Sequence, residues 1–322
     1  MQVWCCIRGG GDGRLLEGVL LKTRGKLNIF ESNLSYPVER DMMTIAISIK
    51  VNDGIVLAAD SASTIMGQGP TGNSGVINVY NNANKLFNLY KGLPVGAITW
   101  GSGSIGKASI STMAKDFRKV ISQDNEWRID PNSYTIEDIS SKFKKFMYDD
   151  GYVESFKSWE KKPSLGFMIV GYSSNMHLAE EWSIKIDNGE CTGPSLVRNI
   201  DQVGLTANGM PEAISRLYSG YSTRLPNVLK KVGLDDPMIE RIITSCRHDL
   251  AAPLVIPPMS IQDVIDLAIF LVETTINFTK FSPGAPSVGG PIEVAAITKH
   301  EGFKWVQRKH YFSRDFNQRL GD

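Results

Sequence analysis

The stretch "TIAISIKVNDGIVLAAD", residues 44–60, decides the fold. Its first eight residues alternate between small or polar side chains and β-branched ones, and the β-branched residues are Ile45, Ile47, Ile49 and Val51. A period of two predicts a half-buried strand. "NDG" follows, and Asp-Gly suits the positive-φ turns of hairpins. "IVLAAD" then predicts a second strand that is buried on both faces, so the stretch is predicted to be a β-hairpin.

The rest of the chain continues in groups of strands and groups of helices. A Gly/Asn/Ser-rich loop is predicted near 64–84 and another loop at 189–195, and strands are predicted within 85–90, 95–100, 165–174, 176–187, 202–209, 291–299 and 303–310. Helices are predicted at 104–122, 135–148, 210–218, 225–250 with an interruption near Gly233, and 260–281. Because strands and helices do not alternate one by one, we predict the α+β class, with antiparallel sheets covered by helices.

Residues 1–42 differ from the rest because neither the helical nor the strand period persists in them. This pattern predicts a weakly ordered extension. We therefore divide the chain into an N-terminal extension, residues 1–43, and one domain, residues 44–322.

The bulk composition excludes several classes of function. The chain has 322 residues, is 42% hydrophobic and carries a net charge of +1, so charge alone favours neither nucleic acid nor an anionic membrane. No apolar run is long enough for a membrane span and no secretory signal is evident, so a cytoplasmic location is expected. The four cysteines lack the paired spacing of a zinc site, and we expect no metal and no cofactor.

A glycine cluster, "TWGSGSIGKAS" at 99–109, nearly matches two phosphate-binding patterns. A P-loop needs Ser or Thr after its lysine, but Ala108 follows Lys107. Both patterns also need a parallel sheet, which the hairpins do not predict. We therefore interpret the cluster as a strand-to-helix turn in which glycine permits positive φ.

Four residues at strand ends form a candidate site. Thr44 opens the first strand, and Asp60 ends the second strand 16 residues later. Lys85 begins the third strand and Gly101 ends the fourth. Because the ends of hairpin strands converge, these residues are predicted to meet at one edge.

The same stretches resemble subunits of the 20S proteasome type. The similarity lies in "DGIVLAAD" with its Thr-to-Asp spacing, "NANKLFNL", "TWGSGSIG" and "GGPIEVAAITK", and it spans about residues 44–299. The resemblance implies an N-terminal-nucleophile (Ntn) hydrolase with a four-layer αββα sandwich, in which two antiparallel sheets lie between helix layers. It further implies cleavage of amide bonds in peptide or protein substrates, and a homo-oligomer built as a ring or stacked assembly.

The resemblance also implies a role for each residue of the candidate site. Thr44 would be the nucleophile, and its own freed α-amine, with a reference pKa of about 7.7–8.0, would be the base. Lys85 would depress the pKa of that amine, and Asp60 would hold Lys85 in place. The backbone N–H of Gly101 would bind the oxyanion.

The sequence departs from this family at several points. The family supports its threonine with an Asp and a Ser just before a late Gly-Gly, and with a serine in a mid-chain segment. Here Ser287, without an Asp, precedes the Gly-Gly, and Thr206 or Asn208 stands in place of the mid-chain serine, so these three are the candidate supporting residues. Thr44 is not the first residue of the chain. Either residues 1–43 are a propeptide removed by self-cleavage, or Met43 is the initiator and a methionine aminopeptidase removes it; the lack of pattern in 1–42 favours the second route. Two alternatives stay open, namely a non-catalytic scaffold or gating subunit and a small-molecule Ntn amidase.

Overall fold

The computed structural model describes residues 20–23, 26–29, 44–68, 74–124, 126–160, 162–283 and 288–309, and the chain divides into two units, residues 1–40 and 41–322. In the first unit a hairpin is described, formed by β1 (Leu20–Thr23) and β2 (Lys26–Ile29). The rest of the predicted weakly ordered extension, 1–19, 24–25 and 30–43, lies outside the described residues.

The larger unit is built on two five-stranded antiparallel sheets. Sheet I has the spatial order β14 (Gly204–Gly209), β3 (Ile45–Val51), β4 (Gly54–Ala59), β15 (Glu293–Thr298) and β16 (Gly302–Gln307). Sheet II has the order β13 (Glu190–Leu196), β12 (Glu180–Asp187), β11 (Leu165–Gly171), β8 (Val95–Gly101) and β7 (Leu86–Asn88). Two short antiparallel pairs accompany them: β5 (Ser63–Gln68) with β6 (Ser74–Tyr80), and β9 (Ser104–Ile105) with β10 (Ala108–Ser109).

Helices cover the outer face of each sheet. Sheet II is packed by α1 (Ile110–Gln123), α2 (Ile136–Lys144), a π-helical segment (Lys145–Tyr152) and α3 (Val153–Phe156). Sheet I is packed mainly by α7 (Ile261–Lys280), and the remaining helical elements are α4 (Glu212–Ile214), a second π-helical segment (Ser215–Ser219), α5 (Leu225–Lys231) and α6 (Asp236–Asp249). The hydroxyls of Ser109, Thr135 and Ser260 each accept from the N–H three residues on, which caps α1, α2 and α7.

Three apolar clusters separate these layers. One lies between α1, α2 and sheet II and includes Phe117, Phe143 and Phe167. A second lies between sheet I and α7, and a third lies between the two sheets. Helix, sheet, sheet and helix therefore follow one another, which confirms the predicted αββα sandwich.

The hairpin of residues 44–60 forms as predicted, but its first strand is not half-buried. Val51 pairs with Gly54 across the turn, and all seven residues of β3 are buried. Sheet II covers the polar face of β3, and Ser48 Oγ donates to Glu181 Oε1 of β12 at 2.5 Å. Lys50 Nζ, on the same face, donates to the carbonyl of Ile200, between β13 and β14, at 2.7 Å. The alternating pattern therefore marks two different buried surfaces, one apolar and one hydrogen-bonded.

Two predicted loops and one helix start are wrong. Residues within 64–84 form the hairpin of β5 and β6, and 190–195 lie in β13, with Gly189 in the turn before it. The Gly, Asn and Ser content of 64–84 suggested the first loop. The second contains Pro194, but β13 is an edge strand, where proline is tolerated because an edge N–H needs no partner. Helix α1 begins at Ile110 rather than near residue 104, because the β9–β10 pair occupies 104–109.

Candidate active site

Thr44 lies at the entrance to β3, where neighbouring backbone fixes it. Its carbonyl accepts a hydrogen bond from Met210 N at 2.8 Å, just beyond the end of β14. Gly209 makes this approach possible: its φ is +89°, and a Cβ there would lie 2.1 Å from the Thr44 carbonyl oxygen. The Thr44 side chain is on the face of β3 that meets sheet II, and the residue is 1% exposed.

Asp60 follows β4 directly and is fully buried. Its carboxylate accepts five hydrogen bonds from the residues that the structure describes. Oδ1 accepts from Thr44 Oγ1 at 2.7 Å, Ile45 N at 3.0 Å and Lys85 Nζ at 2.6 Å, and Oδ2 accepts from Ala62 N at 3.1 Å and Gly289 N at 3.0 Å. A carboxylate has about four lone-pair sites, so this one has no acceptor capacity left. The contacts fix the orientation of Asp60 from three separate parts of the chain.

Lys85 reaches this carboxylate from the other sheet. It precedes β7, and its carbonyl accepts from Thr99 N at 3.0 Å, which ties it to β8. The Lys85 ammonium contacts both Asp60 Oδ1 and the Thr44 hydroxyl. The Thr44 hydroxyl oxygen therefore accepts a hydrogen bond from the Lys85 ammonium, and the hydroxyl donates its own proton to the Asp60 carboxylate.

Burial controls the protonation of this pair. Loss of water around the ammonium lowers the pKa of Lys85, while the nearby carboxylate of Asp60 opposes that shift. A cation held in this way is more acidic than an exposed lysine. The arrangement can polarise the Thr44 hydroxyl, and it can stabilise negative charge that develops beside it.

Gly101 ends β8 at the same end of sheet II as Lys85. Thr99, whose N–H bonds to Lys85, is two residues earlier on the same face of the strand. Gly101 has φ +87°, and a Cβ there would lie 2.5 Å from the carbonyl oxygen of Ser164. The backbone therefore requires glycine at this position, whether or not its N–H binds a substrate.

The three supporting residues are placed less closely. Asn208 lies opposite Ala46, two residues along β3 from Thr44. Thr206 lies opposite Ser48, about 13 Å along the strand at 3.3 Å per residue, and its hydroxyl accepts from Arg198. Both side chains line a cavity of about 330 Å³ between the sheets. Ser287 lies outside the described residues.

Four of the described residues around the site were not predicted from the sequence. Gly209 permits the close approach of its backbone to the Thr44 carbonyl, and Gly289 N donates to Asp60 Oδ2. Glu293 Oε2 accepts from Lys85 N at 3.3 Å, and Lys309 Nζ is 3.5 Å from the same carboxylate oxygen. A glutamate at the start of an apolar strand was the available signal for Glu293, while nothing in the local pattern marks Lys309.

Two further properties concern the described part of the chain only. Within it, no group of three or more His, Cys, Asp or Glu side chains is arranged to hold a metal ion. No helix in the same ranges combines the length and the apolar character that crossing a membrane requires.

Comparison with known proteins gives limited similarity. No protein-family model matches the chain, and no curated protein matches it. Similar solved structures include Anbu (ancestral beta-subunit) from Yersinia bercovieri, at 11% identity, and the helical assembly of the Anbu complex from Pseudomonas aeruginosa, at 13% identity. Each match covers 83% of this chain and 88% of the other, with a TM-score of 0.46.

These findings overturn the assignment of the chain to the 20S proteasome subunit-like family. That assignment is wrong because no family model supports it and the similar structures are Anbu proteins at 11–13% identity. The motifs behind it are short, and hairpin geometry alone accounts for an Asp-Gly turn between apolar strands.

Proposed function

We propose that the chain is an N-terminal-threonine hydrolase that cleaves amide bonds in peptides, with Thr44 as nucleophile. The observation that carries the proposal is the contact of the Thr44 hydroxyl with both members of the buried Lys85–Asp60 ion pair. Burying an ion pair is costly, and apolar residues of similar volume would commonly be as stable. A lone threonine held between the two charges is an arrangement suited to activating a hydroxyl.

The base in this proposal is the α-amine of Thr44. While a peptide bond joins Met43 to Thr44, that nitrogen is an amide and cannot accept a proton. After the bond is cut, the amine has a reference pKa of about 7.7–8.0, which the neighbouring Lys85 ammonium lowers. Self-cleavage and removal of Met43 by an aminopeptidase are the two routes to this amine.

The reaction then proceeds in two halves. The Thr44 oxygen attacks the substrate carbonyl while its proton moves to the α-amine, and the Gly101 N–H with the Lys85 charge stabilises the oxyanion. The C–N bond breaks as the α-ammonium gives its proton to the departing amine, which leaves an ester on Thr44. Water attacks this ester, loses its proton to the α-amine and releases the acid, and the Thr44 oxygen regains a proton.

The test uses protein that begins at Thr44, made by cutting a fusion partner directly before that residue. Hydrolysis of a fluorogenic peptide-amide panel is expected for this protein and for Thr44→Ser, and to be absent in Thr44→Ala. Thr112→Ala, on the exposed face of α1, is the matched control and is expected to keep full activity.

Two results would contradict the proposal. Equal activity of Thr44→Ala would show that another group reacts, and the absence of any Thr44-dependent hydrolysis would favour a scaffold. Activity on amino-acid amides alone would replace peptides by small molecules as the substrate class.

Two attributes of the proposal need their own measurements. Intact mass of protein expressed from the full sequence identifies the residue at its N-terminus and so the route to the amine. Homo-oligomerisation stays a prediction, which light scattering after size-exclusion chromatography tests; the helical assembly named above is a property of the Pseudomonas aeruginosa protein.

A further inference from the structure

A second buried ammonium group, that of Lys309, lies close to the Thr44–Asp60–Lys85 site. Lys309 follows β16, and its side chain is 5% exposed. Its ammonium donates to Ser61 Oγ at 2.7 Å and to the carbonyl of Ala83, and lies 3.5 Å from Glu293 Oε2. Three groups from three segments therefore surround one cation.

These contacts join the two segments that hold the ion pair of the site. Ser61 is the residue after Asp60, and Ala83 is two residues before Lys85. The same segments also meet through Ala83 N, which donates to the Ser61 carbonyl at 2.9 Å. The carboxylate beside Lys309 accepts from the backbone N–H of Lys85 at 3.3 Å. Among the described residues, Lys309 therefore contacts groups that are within two residues of Asp60 or Lys85 or are hydrogen-bonded to Lys85.

We propose that Lys309 is a positioning residue for the Thr44–Asp60–Lys85 site. Its ammonium sets the spacing between the segments that carry Asp60 and Lys85, and together with Glu293 it sets the charge around Lys85. A misplacement of about 1 Å at a reacting group can cost about 100-fold in rate, so a clamp at this point controls turnover rather than substrate binding. This inference rests on the proposed function.

The positioning role of Lys309 can be measured through the pKa of Lys85, because nearby charges shift that pKa. Three charged side chains act on it from the elements packed against it: Asp60 after β4, Glu293 in β15 and Lys309 after β16. Burial is the largest cause of the lowered pKa of Lys85, Asp60 opposes it, Lys309 lowers the pKa further and Glu293 raises it. Loss of the Lys309 charge therefore raises the pKa of Lys85, and loss of the Glu293 charge lowers it.

The experiment compares Lys309→Met, Lys309→Arg and Glu293→Gln in protein that begins at Thr44. For Lys309→Met we expect kcat to fall about 10- to 100-fold with KM within about twofold. The alkaline limb of the kcat–pH profile follows deprotonation of Lys85. It therefore moves to higher pH in Lys309→Met and to lower pH in Glu293→Gln. Lys309→Arg keeps the charge but not the compact geometry, so its kcat falls while the limb stays in place.

A matched variant and a second readout keep the inference separate from the proposed function. Lys304→Met, at an exposed position of β16, leaves both kcat and the limb unchanged. If the parent protein shows no Thr44-dependent hydrolysis, the proposed function fails; the charge effect is then measured by NMR titration of the Lys85 Cε carbon. Limbs or Lys85 titrations that do not move in opposite directions in the two charge variants would overturn the inference.

Discussion

Asp60→Asn tests how far the fold depends on the charge at the centre of the site. The side chain is fully buried, and all five of its partners are donors. Asparagine has one acceptor oxygen, so its NH₂ group must face donors whichever way the amide is turned. The variant also leaves the Lys85 ammonium buried without its anion.

The expected cost is about 3–5 kcal/mol of unfolding free energy, the range for removing one partner of a buried pair. Guanidinium denaturation at pH 7 measures it, and Asp149→Asn is the control, because that side chain is 45% exposed and 3.9 Å from Lys144. The control is expected to change by less than about 0.5 kcal/mol. Removing both charges, in Asp60→Asn with Lys85→Met, is expected to cost less than the sum of the single changes. This account of the site would be refuted if Asp60→Asn lost no more unfolding free energy than Asp149→Asn. It would also be refuted if the loss in the double variant equalled the sum of the two single losses.

Three other predictions concern backbone strain, a second buried pair and acid stability. Gly101→Ala is expected to cost more than Gly92→Ala in denaturation, because both have φ near +88° but only Gly101 would also place a Cβ 2.5 Å from a carbonyl oxygen. Arg198→Met is expected to cost about 3–5 kcal/mol, because the Glu181 carboxylate, whose side chain is 0% exposed and 2.5 Å from Arg198 Nε, loses its cation. Burial raises the pKa of Glu212, but hydrogen bonds from two hydroxyls and a guanidinium outweigh it and lower the pKa from 4.5 to about 2. The stability from Glu212 is therefore full above pH 4.5 and is lost as the pH falls toward 2, a change on the order of 2 kcal/mol after solvent screening that Glu212→Gln should lack.

Each of these has a result that contradicts it. Equal destabilisation by the two glycine variants would leave only the conformational cost of positive φ, about 1 kcal/mol or more. A loss in Arg198→Met no larger than that of Lys157→Met, which breaks an exposed pair with Glu154, would show that Glu181 has other compensation. An acid titration of stability that is the same in Glu212→Gln and the parent protein would remove the explanation based on hydrogen bonds.

The sequence predicted those parts of the fold in which one local signal was sufficient. The alternation from Ile45 to Val51 with its Asp-Gly turn predicted the β3–β4 hairpin, and the cap at Ser260 predicted α7. The same alternation could not show that a second sheet covers the polar face, because Ser48 and Lys50 find their partners 133 and 150 residues away.

The candidate site was likewise predicted only in part from local patterns. Thr44, Asp60 and Lys85 stand at strand ends, and strand ends can be located from local patterns. Thr206 was singled out for its hydroxyl, yet the register of β14 places it opposite Ser48. Lys309 and Glu293 are joined to the site only by tertiary contacts, so a single sequence held no signal for their association.

The separation in sequence of the contacts at Asp60 has a consequence for folding order. Thr44 and Lys85 lie 41 residues apart, but Gly289 N reaches Asp60 across 229 residues and Lys309 reaches Ser61 across 248. Contacts so distant along the chain must close long loops before they contribute, so they form late. A nascent chain that has not yet emerged as far as residue 289 therefore lacks the Gly289 N–H that binds Asp60, and it also lacks Lys309. The hydrogen bonds that hold Asp60 beside Thr44 are therefore complete only after most of the described domain has been synthesised.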